Sequence, residues 1–332
     1  MEVNSEKLLC PTGHIDGIDI PVSRIFFGAT VRPVTTCDLE NAYRILDTAV
    51  AYGLNAFDTA YSYGRSEETL GHWMKERNNR NKVVIQSKVG DVNRDGSVHI
   101  GREVITSGIN TGLERLQTDY IDIYLLHRDD PKTPVSEIID TLSAFQDAGK
   151  ILRFGASNWT HERIAEANAY AEANGKHGFT VSSPYYGIAR QVADVWNGGC
   201  VGISGPENKE ARAWYEKNQM PVVSYSALSH HFFAGRFRSF DYAAAEEVLD
   251  RFGKKGYLSE DNMYRLKVAE EIAEKTGLSV AQVAVRFVLS SKMNGFAIAS
   301  MSKEERIRDN VIAAMGKLTE EEIRALEADG YC

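Results

Sequence analysis

Short apolar runs recur along this chain, each followed by a stretch whose apolar residues return at helical spacing. The runs are RIFFG from Arg24, NAFD from Asn55, VVIQSK from Val83, YIDIYLLH from Tyr120, LRFGAS from Leu152, FTVSS from Phe179, VVSYSAL from Val222 and FAIAS from Phe296. They read as strands, since they are β-branched, aromatic-rich and bounded by polar or glycine residues. Between them, Leu39, Tyr43, Leu46 and Val50 predict a helix from Asp38 to near Gly53 with those residues on its apolar face. Further helices are predicted over Ser66 to Arg77, Gly101 to Leu116, from Pro134 to a stop at Gly149, from His161, over Glu207 to Asn218, over SVAQVAVRFVLSS from Ser279, and after Ser302.

Three segments fall outside this alternation. Asp16-Gly17, flanked by GHI and IDIPV, predicts a tight hairpin over residues 1–22. A long loop is marked by Asn197-Gly198-Gly199, and Arg236 to Glu260 is charged and punctuated by glycine. A last helix, Thr319 to Ala328, opens with Thr319 and Glu322 at capping-box spacing, and Ser302 with Glu305 has the same spacing. Eight strands alternating with eight helices is the pattern of a parallel (β/α)8 TIM barrel, here with an N-terminal β-hairpin. The rival doubly wound sheet usually carries a Gly-rich turn after its first strand, and GATVRP after RIFF is not GxGxxG.

Composition narrows the partners. The 332 residues are 43% hydrophobic and 25% charged, ordinary for a globular protein, and the formal net charge is −8 with no basic stripe. A nucleic-acid partner or an anionic membrane surface is therefore disfavoured. Four cysteines, Cys10, Cys37, Cys200 and Cys332, show no CxxC spacing, so neither a metal site nor a disulfide framework is expected. MEVNSEKLLCP lacks a signal-peptide core and no run approaches a membrane span, which predicts a cytoplasmic protein.

In a barrel the site is built at the C-terminal ends of the strands. There stand Asp58, Lys88, His127, Ser157-Asn158 and Tyr225-Ser226, with Tyr63 just beyond Asp58. Singly, each has an ordinary explanation: Asp58 could cap the helix from Ser66, Tyr63 could pack, Lys88 could be a solvated flank and His127 a core residue. Together they bring a carboxylate, an ammonium, a phenol and an imidazole to one mouth, a set suited to proton chemistry.

The motifs FDTAYSYG, QSK, LLH, GASNW, YSAL and ERIRDN, spanning Phe57 to Asn310 in order, resemble the aldo-keto reductase superfamily. The resemblance implies one barrel domain over residues 1–332. It implies a nicotinamide cofactor, NADP(H) with NAD(H) possible, bound without a Rossmann domain. Its catalytic tetrad maps onto Asp58, Tyr63, Lys88 and His127. It implies cofactor contacts from Ser157, Asn158, Ser183, Tyr225, Ser226, Leu228, Ser300, Ser302, Arg306 and Asn310. Two positions depart from the pattern: Ser183 stands where many relatives have Gln, and Ser300-Met301 where many have Lys-Ser beside the 2′-phosphate.

The expected activity is reduction of an aldehyde or ketone, or the reverse, with Tyr63 as general acid. Arg128, Asp129 and Asp130, with Ser229, His230 and His231, predict a polar mouth and a hydroxylated substrate such as a sugar or polyol derivative. Only a short helix and Gly330-Tyr331-Cys332 follow Asn310, without the long tail that closes over bulky apolar carbonyls in relatives. Two alternatives stay open: a non-catalytic, cofactor-binding subunit of the same fold, and a Schiff-base aldolase acting through Lys88.

Overall fold

A computed structural model describes residues 8–93, 95–196 and 198–328; Asn197 and Gly330 to Cys332 lie outside the described residues. The strands are β1 (Thr12–Gly13), β2 (Val22–Ser23), β3 (Ile25–Gly28), β4 (Ala56–Asp58), β5 (Val84–Val89), β6 (Ile121–Leu126), β7 (Ile151–Ser157), β8 (Val181–Ser183), β9 (Val222–Ser224) and β10 (Gly295–Ala299). The last eight close into a parallel barrel in the order β10-β3-β4-β5-β6-β7-β8-β9, as the alternating pattern predicts.

The helices are α1 (Arg32–Thr35), α2 (Leu39–Ala51), α3 (Ser66–Arg77), α4 (Arg102–Leu116), α5 (Val135–Asp147), α6 (His161–Ala173) and α7 (Lys209–Asn218). After β9 come α8 (Tyr242–Val248), α9 (Arg251–Tyr257), α10 (Glu260–Thr276) and α11 (Val280–Ser290). After β10 come α12 (Glu304–Ala314) and α13 (Glu320–Glu327), the latter opened by the expected Thr319–Glu322 capping box.

Alternation along the strands produces two cores. Phe26, Ala56, Val84, Ile123, Leu125, Val181, Val223 and Phe296 fill the barrel, while Phe27, Phe57, Ile85, Tyr124, Leu126 and Phe154 point outward to the helices. The N-terminal segment seals the barrel floor, because Ile15, Ile18 and Val22 join the interior cluster. Arg153 Nε fixes it by donating to the Asp16 carbonyl at 2.8 Å, and Asn55 Nδ2 donates to the Pro21 carbonyl at 2.8 Å.

The N-terminal hairpin is present as an antiparallel β1–β2 pair, residues 1–7 of the expected segment lying outside the described residues, while its register and three further local expectations differ in detail. Asp16-Gly17 does form a turn, with the Ile18 N–H bonded to the Ile15 carbonyl and Gly17 at φ +76°, but the paired strands lie farther out at Thr12–Gly13 and Val22–Ser23. Ile15 and Ile18 plug the barrel instead of extending a ladder. The buried stripe of α2 is Ala42, Ile45, Leu46 and Ala49, leaving Val50 exposed. At α12 the N-cap is Lys303, with no side-chain cap, so Ser302 and Glu305 form no capping box. Finally, α10 fills a stretch with no predicted element; its buried Met263, Leu266, Ala269, Ile272 and Ala273 are interleaved with charges that mask the period.

Candidate active site

The inward face of each strand turns polar at its C-terminal end. Two residues beyond Ala56 on the same face is Asp58; four beyond Val84 is Lys88; two beyond Leu125 is His127. Ser183 follows Val181 and Tyr225 follows Val223 in the same way. Period-two geometry therefore delivers these side chains to one mouth.

Asp58 and Lys88 form a buried pair, Nζ to Oδ1 2.5 Å, and Lys88 Nζ also donates to the Thr59 carbonyl at 2.8 Å. Gln86 Nε2 donates to the same Asp58 oxygen at 2.6 Å. Asp58 thus orients the ammonium and caps no helix; the N-cap of α3 is Arg65. The chain leaving β4 folds over β5, since the Tyr61 N–H reaches the Lys88 carbonyl at 2.9 Å and the Tyr63 N–H reaches the Ala60 carbonyl at 3.0 Å. That turn brings Lys88 Nζ 4.8 Å from the Tyr63 ring centre, with the His127 ring edge-on at 5.8 Å.

Electrostatics assigns the protons. Burial raises the Tyr63 phenol above its ordinary value while the Lys88 charge pulls it down, so the phenol is neutral. Burial works to lower Lys88, but Asp58 and Tyr63 outweigh it and the ammonium is held above its ordinary value. Burial, with the Lys88 charge beside it, pushes His127 down to about 3, leaving a neutral imidazole whose buried Nδ1 has no hydrogen-bond partner among the described residues. Asp91 Oδ2 lies 3.6 Å from that nitrogen.

Every residue of the expected set lines one cavity of about 1030 Å³: Asp58, Tyr63, Lys88, His127, Ser157, Asn158, Ser183, Tyr225, Ser226, Leu228, Ser300, Ser302, Arg306 and Asn310. Their polar atoms are not equally free. Asn158 Nδ2 donates to the His127 carbonyl at 3.1 Å, and its Oδ1 accepts from Tyr225 OH at 2.6 Å and from the Val201 N–H at 3.2 Å. Ser157 Oγ donates to the Ser183 carbonyl at 2.8 Å. Ser183 Oγ, the departure from the family's Gln, is buried and has no hydrogen-bond partner among the described residues. At the far end, Arg306 sits in the first turn of α12, whose N–H groups lack a side-chain cap, while Asn310 Nδ2 donates to the Arg306 carbonyl at 2.7 Å. Ser300 Oγ is 2.6 Å from Thr30 Oγ1.

Of the polar mouth, Arg128, Ser229, His230 and His231 line the cavity. Asp129 and Asp130 do not: Asp129 lies 3.5 Å from Arg163 Nε, and Asp130 accepts from the Lys132 N–H and Thr133 Oγ1. Asp91, Trp196, Arg236 and Gln282 also line the cavity and were not singled out in the sequence. Asp91 was findable, three residues beyond Lys88 past Gly90; Trp196 comes from an aperiodic loop and carried no signal.

A closed parallel barrel with its polar groups gathered at the C-terminal mouth has the architecture of a barrel enzyme. The chain belongs to the aldo/keto reductase family, an oxidoreductase family whose sequence profile matches residues 24–329. Among relatives, it is 28% identical to "Aldo-keto reductase ausK" of Aspergillus calidoustus, over 99% of this chain and 83% of that one. It is 26% identical to a "Probable voltage-gated potassium channel subunit beta" of Arabidopsis thaliana, over 89% of this chain and 88% of that one. A crystal structure of an aldo-keto reductase from Klebsiella pneumoniae in complex with NADPH superposes with TM-score 0.71 at 23% identity, covering 96% of this chain and 94% of that one, a likeness of fold. Among the described residues, no helix is long and apolar enough to cross a membrane.

Proposed function

We propose that this chain is an NADP(H)-dependent reductase of a polar, hydroxylated aldehyde or ketone, with Tyr63 as the general acid. The observation that carries this reading is continuity: one cavity joins Tyr63, Lys88 and His127 to the uncapped end of α12 with Arg306. Its volume of about 1030 Å³ lies at the top of the range for small-molecule pockets and suits an extended dinucleotide with a small substrate. The residues fit such a cofactor. Ser183 Oγ, without a partner among the described residues, can bond a carboxamide, Tyr225 offers a ring held by Asn158, and Arg306 at a helix start that no side chain caps suits a phosphate.

A bound nicotinamide would supply hydride to the carbonyl carbon. The side chains of this protein then handle the oxygen. His127, neutral, donates a hydrogen bond to it and fixes its direction. As the C=O π bond breaks, Tyr63 transfers its proton to the oxygen and becomes phenolate, which the adjacent Lys88 ammonium favours. Asp58 keeps that ammonium charged and aimed.

The charge state that suits this role speaks against the aldolase alternative, because a Schiff base needs a neutral amine and Lys88 is held above its ordinary value. A cofactor-binding subunit without turnover draws support from the likeness to a probable channel subunit. Against it stands the full set of Asp58, Tyr63, Lys88 and His127 around one cavity.

The test is a fluorescence titration with NADPH and NADH, followed by turnover on a carbonyl panel. NADPH is expected to bind tighter, and sugar-like carbonyls to give higher kcat/KM than steroids or aromatic aldehydes. A preference for the apolar carbonyls would refute the hydroxylated-substrate assignment, and cofactor binding without turnover of any carbonyl would favour the subunit reading.

A further inference from the structure

We propose that Arg128 is the recognition site for a carboxylate carried by the substrate, so that the chain acts on oxo acids or aldehydo acids. This rests on the carbonyl-reductase reading of the same cavity and names its substrate class. Arg128 follows His127 directly and lines the cavity, with its side chain only 7% exposed. A guanidinium that deep needs its N–H groups paired, because an uncompensated buried charge is costly.

The chain meets that need elsewhere. Arg80 bonds Asp122, Thr118 Oγ1 and the carbonyls of Val83 and Tyr120. Arg265 bonds Asp261 at 3.1 Å and the Leu326 carbonyl at 2.7 Å. Arg128 differs. Nη1 donates to the backbone carbonyl of His127 at 3.1 Å, Nη2 lies 3.9 Å from Asp91, beyond hydrogen-bond range, and Nε is buried without a partner among the described residues. Asp91 is itself engaged, accepting from Ser62 Oγ at 2.9 Å and from the Val92 N–H at 2.8 Å.

An under-paired cation therefore borders the catalytic cavity beside the imidazole that would bind the carbonyl oxygen. A carboxylate has two acceptors in the geometry of the guanidinium fork and the charge to compensate it, which a hydroxyl lacks. Asp91 and Arg128 approach one another, so a carboxylate on Arg128 belongs to a small molecule whose carbonyl lies a few bonds away at His127 and Tyr63.

The experiment uses matched probes with the cofactor-loaded protein: pyruvate against methyl pyruvate, and D-glucuronate against D-glucuronamide. Both kcat/KM and calorimetric affinity are measured for wild type, Arg128→Lys and Arg128→Met, with the NADPH Kd of each variant as a control. The acid is expected to be preferred in at least one pair by ~10-fold or more. That preference falls at least ~30-fold in Arg128→Met and by less in Arg128→Lys, which keeps charge but loses the fork. Equal or better use of the neutral partner in both pairs would overturn the proposal. So would an acid preference that survives Arg128→Met, or a loss confined to NADPH affinity. Acid-selective, Arg128-dependent binding without turnover would refute carbonyl reduction and leave the carboxylate site standing. A misfolded Arg128→Met leaves the decision to Arg128→Lys and the wild-type pairs.

Discussion

Lys88 Nζ lies 2.5 Å from Asp58 Oδ1 with each side chain 3% exposed, so the two charges compensate one another almost out of contact with water. Removing one partner strands the other. Asp58→Asn is expected to cost about 3–5 kcal/mol of stability, read by denaturant unfolding, because Lys88 remains charged and buried or must give up its proton. The Lys88 value is raised, so its contribution is fully present below the ordinary lysine pKa near 10.5 and is lost only as pH rises beyond it. A loss below ~1 kcal/mol at pH 7 would show that the pair contributes little.

Tyr63→Phe removes the proposed acid but keeps the ring beside Lys88 and His127. Turnover is expected to fall ~10²- to 10⁴-fold, the range of a lost general acid, with NADPH affinity within a few-fold of wild type. Near-native turnover in single-turnover kinetics would assign the proton to another group.

His127 should not titrate across the physiological range. Its folded value is pushed down to about 3, so the imidazole stays neutral while the unfolded chain takes up a proton near 6.5. Stability from this residue is present above pH 6.5 and drains as pH falls toward about 3, since the unfolded state then binds the extra proton. NMR of the His127 ring should show no transition between pH 8 and 5; a midpoint near 6.5 would contradict the neutral donor role.

Arg306→Ala should lower NADPH affinity by ~10-fold or more and leave NADH affinity nearly unchanged, if Arg306 pairs with the 2′-phosphate. The uncapped α12 N–H groups keep some anion affinity in the variant. Parallel titrations that lose both cofactors equally would move Arg306 away from the 2′-phosphate.

What the sequence by itself determined is local. A period of two in each apolar run sets which side chains enter the barrel, and continuing it past the last apolar residue points Asp58, Lys88, His127, Ser183 and Tyr225 into the same mouth. The eight strands are legible for the same reason, and the helix starts at Ser66 and His161 and the Thr319 cap are legible from local start signals. Period fails where charges dilute it, as in α10, or where tertiary contact overrides it, as at Asp16-Gly17, whose flanking isoleucines close the barrel floor. The tertiary structure alone decided which polar atoms are free. Asn158 is tied to Tyr225 and Val201, Asp129 faces Arg163, and Ser183 Oγ and Arg128 Nε are left without partners among the described residues. Hydrogen-bond partners of this kind come from residues far apart in the chain, brought together only by closure of the barrel, and no periodicity records them.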